Sequence, residues 1–321
     1  MPKINVLMSV YNETPTQLHA AIDSILAQTE ADFTMNIVLD QPAADDLHAI
    51  LDDYAASDPR VQVLVNAQNS GLPFSLNRSV AAGDAPFLAR MDADDIAVPT
   101  RFARQLAIMD ERQLDVLSSS ADFIDEEGQP AGQHDYIPED PDALKRLLPL
   151  GSPLVHPSIM MRRAVLEAAG GYRMLPTAED YDLWLRLLQS GARIGATNEK
   201  LMHYRLRGNS MTAGDRYKVF LVSEYLQRAY ASGQFPDADS EVAQLRDYLK
   251  QNGQDDAQRR AQFTQRVLNL SAGKKALKGG NPFKAAALVL PALLDGAVRR
   301  YAKQSRAYGS VYAQLASKQE A

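Results

Sequence analysis

Pro86-Phe87-Leu88-Ala89-Arg90-Met91-Asp92-Ala93-Asp94-Asp95 runs from apolar to acidic within ten residues. A short apolar run closed by polar residues reads as a buried strand. The three aspartates therefore stand where that strand emerges. Two like charges about 4 Å apart repel by about 1 kcal/mol in water and ~4 kcal/mol near a protein surface. Converging carboxylates are costly unless something cationic lies between them. A hard divalent ion held by oxygen ligands suits the gap, and such ions commonly carry substrate phosphates as their remaining ligands. An isolated Asp-x-Asp-Asp would more simply be a solvated turn capping the next helix. The surrounding sequence argues otherwise.

Upstream, Ile4-Asn5-Val6-Leu7-Met8-Ser9-Val10 reads as a buried first strand. Leu18, Ile22, Ile25 and Leu26 then recur at helical spacing, with Thr14 or Thr16 as the cap. Phe33 to Leu39 predicts a second strand, Leu47, Ile50, Leu51 and Tyr54 a second helix, and Val61 to Val65 a third strand. A helix around Phe74-Ser75-Leu76 leads to the strand that ends in the aspartates. Strand alternating with helix means βαβ units and a parallel sheet. Ligands of such sheets bind outside the carboxyl ends of the strands. Tyr11, Asp40 and Asp92, Asp94 and Asp95 all fall at such ends, so they should share one crevice. Downstream, Pro99 suits the first turn of a helix lined by Phe102, Leu106 and Met109. Val116 to Ile124 predicts another strand, 135–157 reads as irregular, and from about Arg216 the pattern is helical and polar.

The chain has 321 residues, 45% of them hydrophobic, room enough for a large domain with an extension. Its net charge of −6 argues against nucleic acid as a main partner. Having no cysteine excludes disulfides, thiolate catalysis and zinc–thiolate sites, and fits a cytoplasmic protein. The N-terminus lacks a signal-peptide cleavage pattern, and no stretch approaches the ~20 apolar residues of a membrane span. Charge is unevenly spread. Residues 271–321 carry nine Lys or Arg against Asp295 and Glu320, a charge of +7, which leaves −13 on the rest. Such asymmetry marks a tail with its own partner.

A second acidic cluster, Glu179-Asp180-Tyr181-Asp182, opens a helix with Tyr181, Trp184, Leu185 and Leu188 on one face. Thr177-x-x-Asp180 fits a capping box, and Asp182 can simply favour the helix dipole. A carboxylate at a helix start can also act as a general base if a free oxygen faces the nucleophile. His156, before Pro157, is a candidate acceptor contact, although a single loop histidine is more often structural. His203, in Met202-His203-Tyr204-Arg205, could ligate the metal or Arg205 neutralise a leaving diphosphate; a surface role suits each equally well.

The ordered set Ser9-Val10-Tyr11-Asn12-Glu13, Val38-Leu39-Asp40, Asn69-x-Gly71-Leu72, Leu76-Asn77, Arg90-Met91-Asp92-Ala93-Asp94-Asp95, His156-Pro157-Ser158, Gly170-Gly171-Tyr172 and Glu179-Asp180-Tyr181-Asp182-Leu183-Trp184 resembles the family 2 glycosyltransferases. The likeness covers about residues 3–212 and points to the type that builds bacterial exopolysaccharide and lipopolysaccharide. It implies a GT-A fold: an α/β, Rossmann-like, mostly parallel sheet flanked by helices. It also implies inverting transfer of a sugar from a nucleotide-diphosphate donor, usually UDP-linked, to a glycan or lipid-linked saccharide. Carried over by position, Ser9, Tyr11, Glu13, Asp40, Asn69, Arg90 and Asp92 would serve the donor. Asp94, with Asp92 and His203, would hold Mn²⁺ or Mg²⁺ at the diphosphate. His156, Glu179 and Trp184 would meet the acceptor, and Asp180 would deprotonate its hydroxyl.

Two departures bear on this. Asp40-Gln41-Pro42-Ala43 stands where the family often has Asp-Asp-Gly-Ser, and the Gln-x-x-Arg-Trp signature of processive synthases is absent. One sugar per encounter is therefore expected. A sugar nucleotidyltransferase would share the metal and sheet edge, but it should carry a glycine-rich basic loop where this chain has Ser9-Val10-Tyr11-Asn12-Glu13. A non-catalytic nucleotide-sugar-binding scaffold is the other alternative, and the full set of acids argues against it. The expected division is 1–215, catalytic, and 216–321, a helical extension. The extension's basic tail is a candidate for an anionic membrane surface, although an ordinary helix with a solvated basic face accounts for it as well.

Overall fold

The computed structural model describes residues 1–207, 215–233, 235 and 238–317, apart from the side chains of 238, 239 and 241. It divides into two compact units. The first comprises Met1–Leu148, Ser152–Leu175 and Glu179–Arg207; the second joins Pro149–Gly151 and Pro176–Ala178 to the C-terminal region. The expected boundary abuts 208–214, which lies outside the described residues, as do Lys318 and Glu320 of the tail.

The first unit alternates as expected: β1 Ile4–Val10, α1 Pro15–Leu26, β2 Phe33–Leu39, α2 Asp45–Ser57, β3 Val61–Val65, α3 Leu72–Ala81 and β4 Phe87–Asp92. Then follow β5 Ile96–Ala97, α4 Arg101–Glu111, β6 Val116–Ile124, β7 Pro130–Gln133, α5 Pro141–Leu147, β8 Met160–Arg162, α6 Arg163–Ala168, α7 Glu179–Gln189 and β9 Ile194–Arg205. Thr14 caps α1 in a reciprocal capping box with Gln17.

The described strands form one nine-stranded sheet in the order β3-β2-β1-β4-β8-β6-β9-β5, with β7 on β6. Its β3-β2-β1-β4 half is parallel. The other half is mixed, but its longest pairing, β6 with β9, is parallel too, so the sheet is mostly parallel as expected. The short β8 runs antiparallel to both β4 and β6. Three residues leave too little pattern to read as a strand. Likewise 135–157 is not wholly irregular: Asp140 accepts the Ala143 N–H and starts α5 with Pro141 in its first turn.

The chain leaves β1 toward β2 and β3, then returns to place β4 on the other side of β1. Their carboxyl ends therefore flank the switch point, the natural crevice of such a sheet. Ser9 lies opposite Asp92 in the register. Beneath it, fully buried Arg101 donates to the Arg90 carbonyl at 2.7 Å and to Gln105 Oε1 at 3.0 Å, fastening α4 to β4. Burial draws its guanidinium down to about 9.

The second unit is helical among the described residues: α8 Arg216–Ser232, α9 Ala238–Gln251, α10 Ala257–Lys278, α11 Pro282–Leu293 and α12 Gly296–Ala316. Tyr217, Phe220, Phe263 and Tyr301 form its aromatic core.

Candidate active site

The turn after β4 brings Asp92, Asp94 and Asp95 together, with one oxygen from each lying within 4.8 Å of the others. Burial and the neighbouring Asp92 push the Asp94 carboxyl up to about 6. The same causes, with Asp94 added, raise Asp95 well above its usual range. Asp95 accepts the Arg205 N–H at 2.7 Å through Oδ1, while its buried Oδ2 has no hydrogen-bond partner. Three hard oxygen donors this close, one of them orphaned and two of them raised by burial and crowding, are the chemistry a divalent cation relieves. Sequence reading undervalued Asp95, because its burial is invisible in a run of acids. His203 is not in this group. It lies on β9 itself, not after the last strand, paired in register with Ile96.

Arginine placement also differs from expectation. Arg205 does not face a leaving group: its guanidinium donates to the carbonyls of Asp94, Asp125 and Glu126. Arg207, which sequence reasoning passed over, ion-pairs with Asp94 at 2.5 Å and approaches Glu13 at 3.6 Å. A cation two residues past Arg205, the last residue of the strand, was the available signal. Glu13 accepts the Tyr11 N–H at 2.7 Å, and burial raises its carboxyl. Tyr11 is 41% exposed and open to a ligand.

Asp40 is buried and already occupied. Its Oδ1 accepts Asn66 Nδ2 at 2.6 Å and the Ser70 N–H at 2.8 Å, and Oδ2 accepts the Gly71 N–H at 2.8 Å. It thereby pins the loop between β3 and α3, where Asn69 Oδ1 accepts from the Gly71 N–H at 3.2 Å. Gly71, at φ 86, permits the turn.

Arg90 is 3% exposed and paired with Asp92, and its Nε and Nη1 have no hydrogen-bond partner. Its charge acts on Asp92 and Asp95 and equally on Glu179, Asp180, Tyr172 and His156. Two acid sets about ninety residues apart in the chain thus lie within one field. Burial raises Asp180; burial, then Asp180, push Glu179 up to about 7. Asp182 is a structural acid, fully buried between Arg186 at 2.7 Å and Arg173 at 3.8 Å. The helix α7 begins at Glu179 and carries Glu179, Asp180 and Asp182 in its first turn.

Two acceptor candidates are corrected. Trp184 is fully buried and meets His156 edge-on, with ring centroids 5.9 Å apart, so it braces the histidine from within the core. His156 is itself buried, sharing a hydrogen bond with the Tyr172 hydroxyl at 3.1 Å. Burial, then the Arg90 charge, hold its imidazole well below the usual value, so it is neutral. Tyr172 in turn is fixed by Asn77, which donates to its carbonyl at 2.7 Å and accepts its N–H at 2.9 Å.

A family model described as Glycosyl transferase family 2 matches residues 5–170. The uncharacterized glycosyltransferase MJ1057 of Methanocaldococcus jannaschii is 31% identical over 222 residues, 68% of this chain and 77% of its own. The O-antigen biosynthesis glycosyltransferase WbnJ of Escherichia coli is 30% identical over 209 residues, 64% of this chain and 81% of its own. Among solved structures, S. aureus TarS 1–349 in complex with UDP superposes with a TM-score of 0.60 at 18% identity, covering 97% of this chain and 91% of that one. Mannosyltransferase PcManGT from Pyrobaculum calidifontis, in complex with GDP-Man and Mn²⁺, gives 0.55 at 16% identity, covering 98% and 87%. Likeness of sequence and likeness of backbone agree: the chain belongs to glycosyl transferase family 2 and is a glycosyltransferase of the GT-A fold.

Proposed function

We propose that this enzyme moves a single sugar from a nucleotide-diphosphate donor, a UDP-sugar first among them, to a hydroxyl of a glycan or lipid-linked saccharide, inverting the anomeric centre. The observation that carries the reading is the common field of Arg90 over Asp92 and Asp95 on one side and Glu179 and Asp180 on the other. The O-antigen role in the name of WbnJ favours surface-polysaccharide assembly, and cytoplasmic donor pools favour that compartment. TarS holding UDP, and PcManGT holding GDP-Man with Mn²⁺, favour the donor class and the cofactor.

Asp92, Asp94 and Asp95 would hold Mn²⁺ or Mg²⁺, with His203 as a further candidate. A bound divalent ion supplies electrostatic stabilisation of charge developing on a leaving diphosphate. Tyr11, Glu13 and Asn69 line the nucleoside end, with Ser9 and Asp92 beside the ribose and diphosphate. Asp40 acts mainly by shaping the loop that Asn69 stands on. Arg207 holds Glu13 and Asp94 in place between turnovers. Arg90 offers unpaired N–H groups to anionic oxygens.

Asp180 takes the proton of the acceptor hydroxyl as its oxygen attacks the anomeric carbon. The bond from that carbon to the diphosphate oxygen breaks with its electron pair, and nucleoside diphosphate leaves. Glu179, whose carboxyl burial and Asp180 push up to about 7, donates a hydrogen bond at the acceptor in its protonated form. The buried Trp184–His156–Tyr172 stack fixes the wall behind it.

A thermal-shift screen of UDP-, GDP- and dTDP-sugars with and without Mn²⁺ tests the reading. One donor should stand out, and only with metal at full strength. Product from that donor should carry the opposite anomeric configuration by NMR. A retained configuration, or release of pyrophosphate, would overturn the assignment.

A further inference from the structure

Helix α11 turns an apolar face outward. Phe283, Leu290 and Leu294 are 88%, 66% and 81% exposed, with Ala286, Ala287 and Pro291 exposed among them. Successive members are three or four residues apart or adjacent, so they form one stripe along one side of the helix. The opposite side is already used. Ala285 and Ala292 are buried, and a Cβ on Gly273 of α10 would lie 2.5 Å from Val289 Cγ2 and 3.4 Å from the Ala285 carbonyl. α10 and α11 therefore form a close-packed hairpin whose spare face is hydrophobic. Leu277, 62% exposed at the end of α10, extends that face toward the Gly279-Gly280-Asn281 turn.

Charge surrounds the stripe. Lys274, Lys275, Lys278, Lys284 and Arg299 are all exposed. The sole acid between residues 271 and 300 is Asp295, buried and held by Arg259 and Arg266. Two further observations narrow the occupant. A second copy on this face would set five cations against the same five across a two-fold axis. Protein interface cores are also depleted in lysine, whereas helices that lie in a lipid interface combine an apolar face with flanking lysine and arginine. No helix among the described residues is long and apolar enough to cross a membrane, so the element lies on the bilayer without spanning it.

We propose that the α10–α11 hairpin is a membrane-docking surface. Phe283, Leu290 and Leu294 enter the headgroup–acyl boundary of an anionic bilayer, and Lys274, Lys278 and Lys284 contact lipid phosphates. Docking needs none of the chemistry proposed for the active site, so either can fail without the other.

The test is co-sedimentation of the full chain with vesicles of equal parts phosphatidylcholine and phosphatidylglycerol, against phosphatidylcholine alone. Binding should require the anionic lipid and weaken as salt shortens the screening length from ~8 Å at physiological strength to ~3 Å at 1 M. The double variant Phe283→Glu/Leu290→Glu should lose it. Each of Lys274→Glu and Lys278→Glu should weaken it at least fivefold, about the effect of one basic residue near an anionic surface. Phe283→Trp supplies a second readout, because the chain's single natural tryptophan is buried: its fluorescence should shift to the blue on anionic vesicles only. Equal binding to neutral vesicles, no binding to either, or self-association by light scattering that the double variant abolishes would each overturn the proposal.

Discussion

Glu179 and Asp180 are neighbours in sequence, and burial raises the carboxyls of both. The Asp180 charge adds to the rise of Glu179, whose carboxyl sits at about 7, whereas the Tyr181 N–H opposes the rise of Asp180, the proposed base. Asp180→Asn should therefore lower kcat by about 10²- to 10⁴-fold, the usual worth of a positioned base, with donor affinity retained. Glu179→Gln, which imitates the protonated acid, should keep kcat within about tenfold, the bound set by that lower figure. If steady-state kinetics gave the reverse ranking, Glu179 would be the base. The same scale shows what a run of residue letters conceals. Asp92 and Asp94 were legible as candidates because carboxylates converging at a strand end repel one another, and Asp180 by its place in the family's order of motifs. Asp95 was legible only as a member of the run and Arg207 not at all, since the orphaned oxygen of one and the ion pair of the other exist only after β9 has paired with β5.

At the scale of elements, the Gly170-Gly171-Tyr172 turn explains a motif that sequence could only match. Gly171 sits at φ 77, and a Cβ there would stand 2.7 Å from Asn77 Oδ1, the atom that accepts the Tyr172 N–H. Gly171→Ala should cost about 2 kcal/mol from the left-handed backbone alone. It should also lower kcat by loosening the His156–Tyr172 pair, which denaturation and kinetics on one preparation would reveal together. In the second unit Asp295 caps α12, accepting the Ala297 N–H at 2.9 Å while bound by Arg259 at 2.5 Å and by Arg266. The hydrogen bond from Arg259, first among its causes, holds its carboxyl far below the usual range. Its folded value being depressed, its stabilisation is complete above the unfolded carboxyl value of about 4 and is lost as pH falls below that. Asp295→Ala should remove about 3 kcal/mol at pH 7, and much less in strong acid. Urea melts at the two pH values check both the size and the sign.

For the molecule as a whole, stability should follow ligand by mass action. Nucleotide with Mn²⁺ at a hundredfold over its Kd should add about 2.7 kcal/mol, read as a rise in Tm. Asp94→Asn should abolish the part of that rise that needs metal and leave the nucleotide-only part; an unchanged metal increment would remove Asp94 from the cation site. Sequence by itself determined the strands β1, β2, β3 and β6 to the residue, because short runs rich in apolar and β-branched residues there end at turn-forming ones. It also determined the family, since the spacing of the acidic and glycine motifs survives wherever the backbone must make the same turns. Only the tertiary structure decided that β8 reverses direction to make the sheet mixed, that Trp184 and His156 are buried supports, and that Arg207 pairs with Asp94. Those outcomes depend on which distant segments touch and on how much water their contact expels, and neither quantity is local to any stretch of the chain.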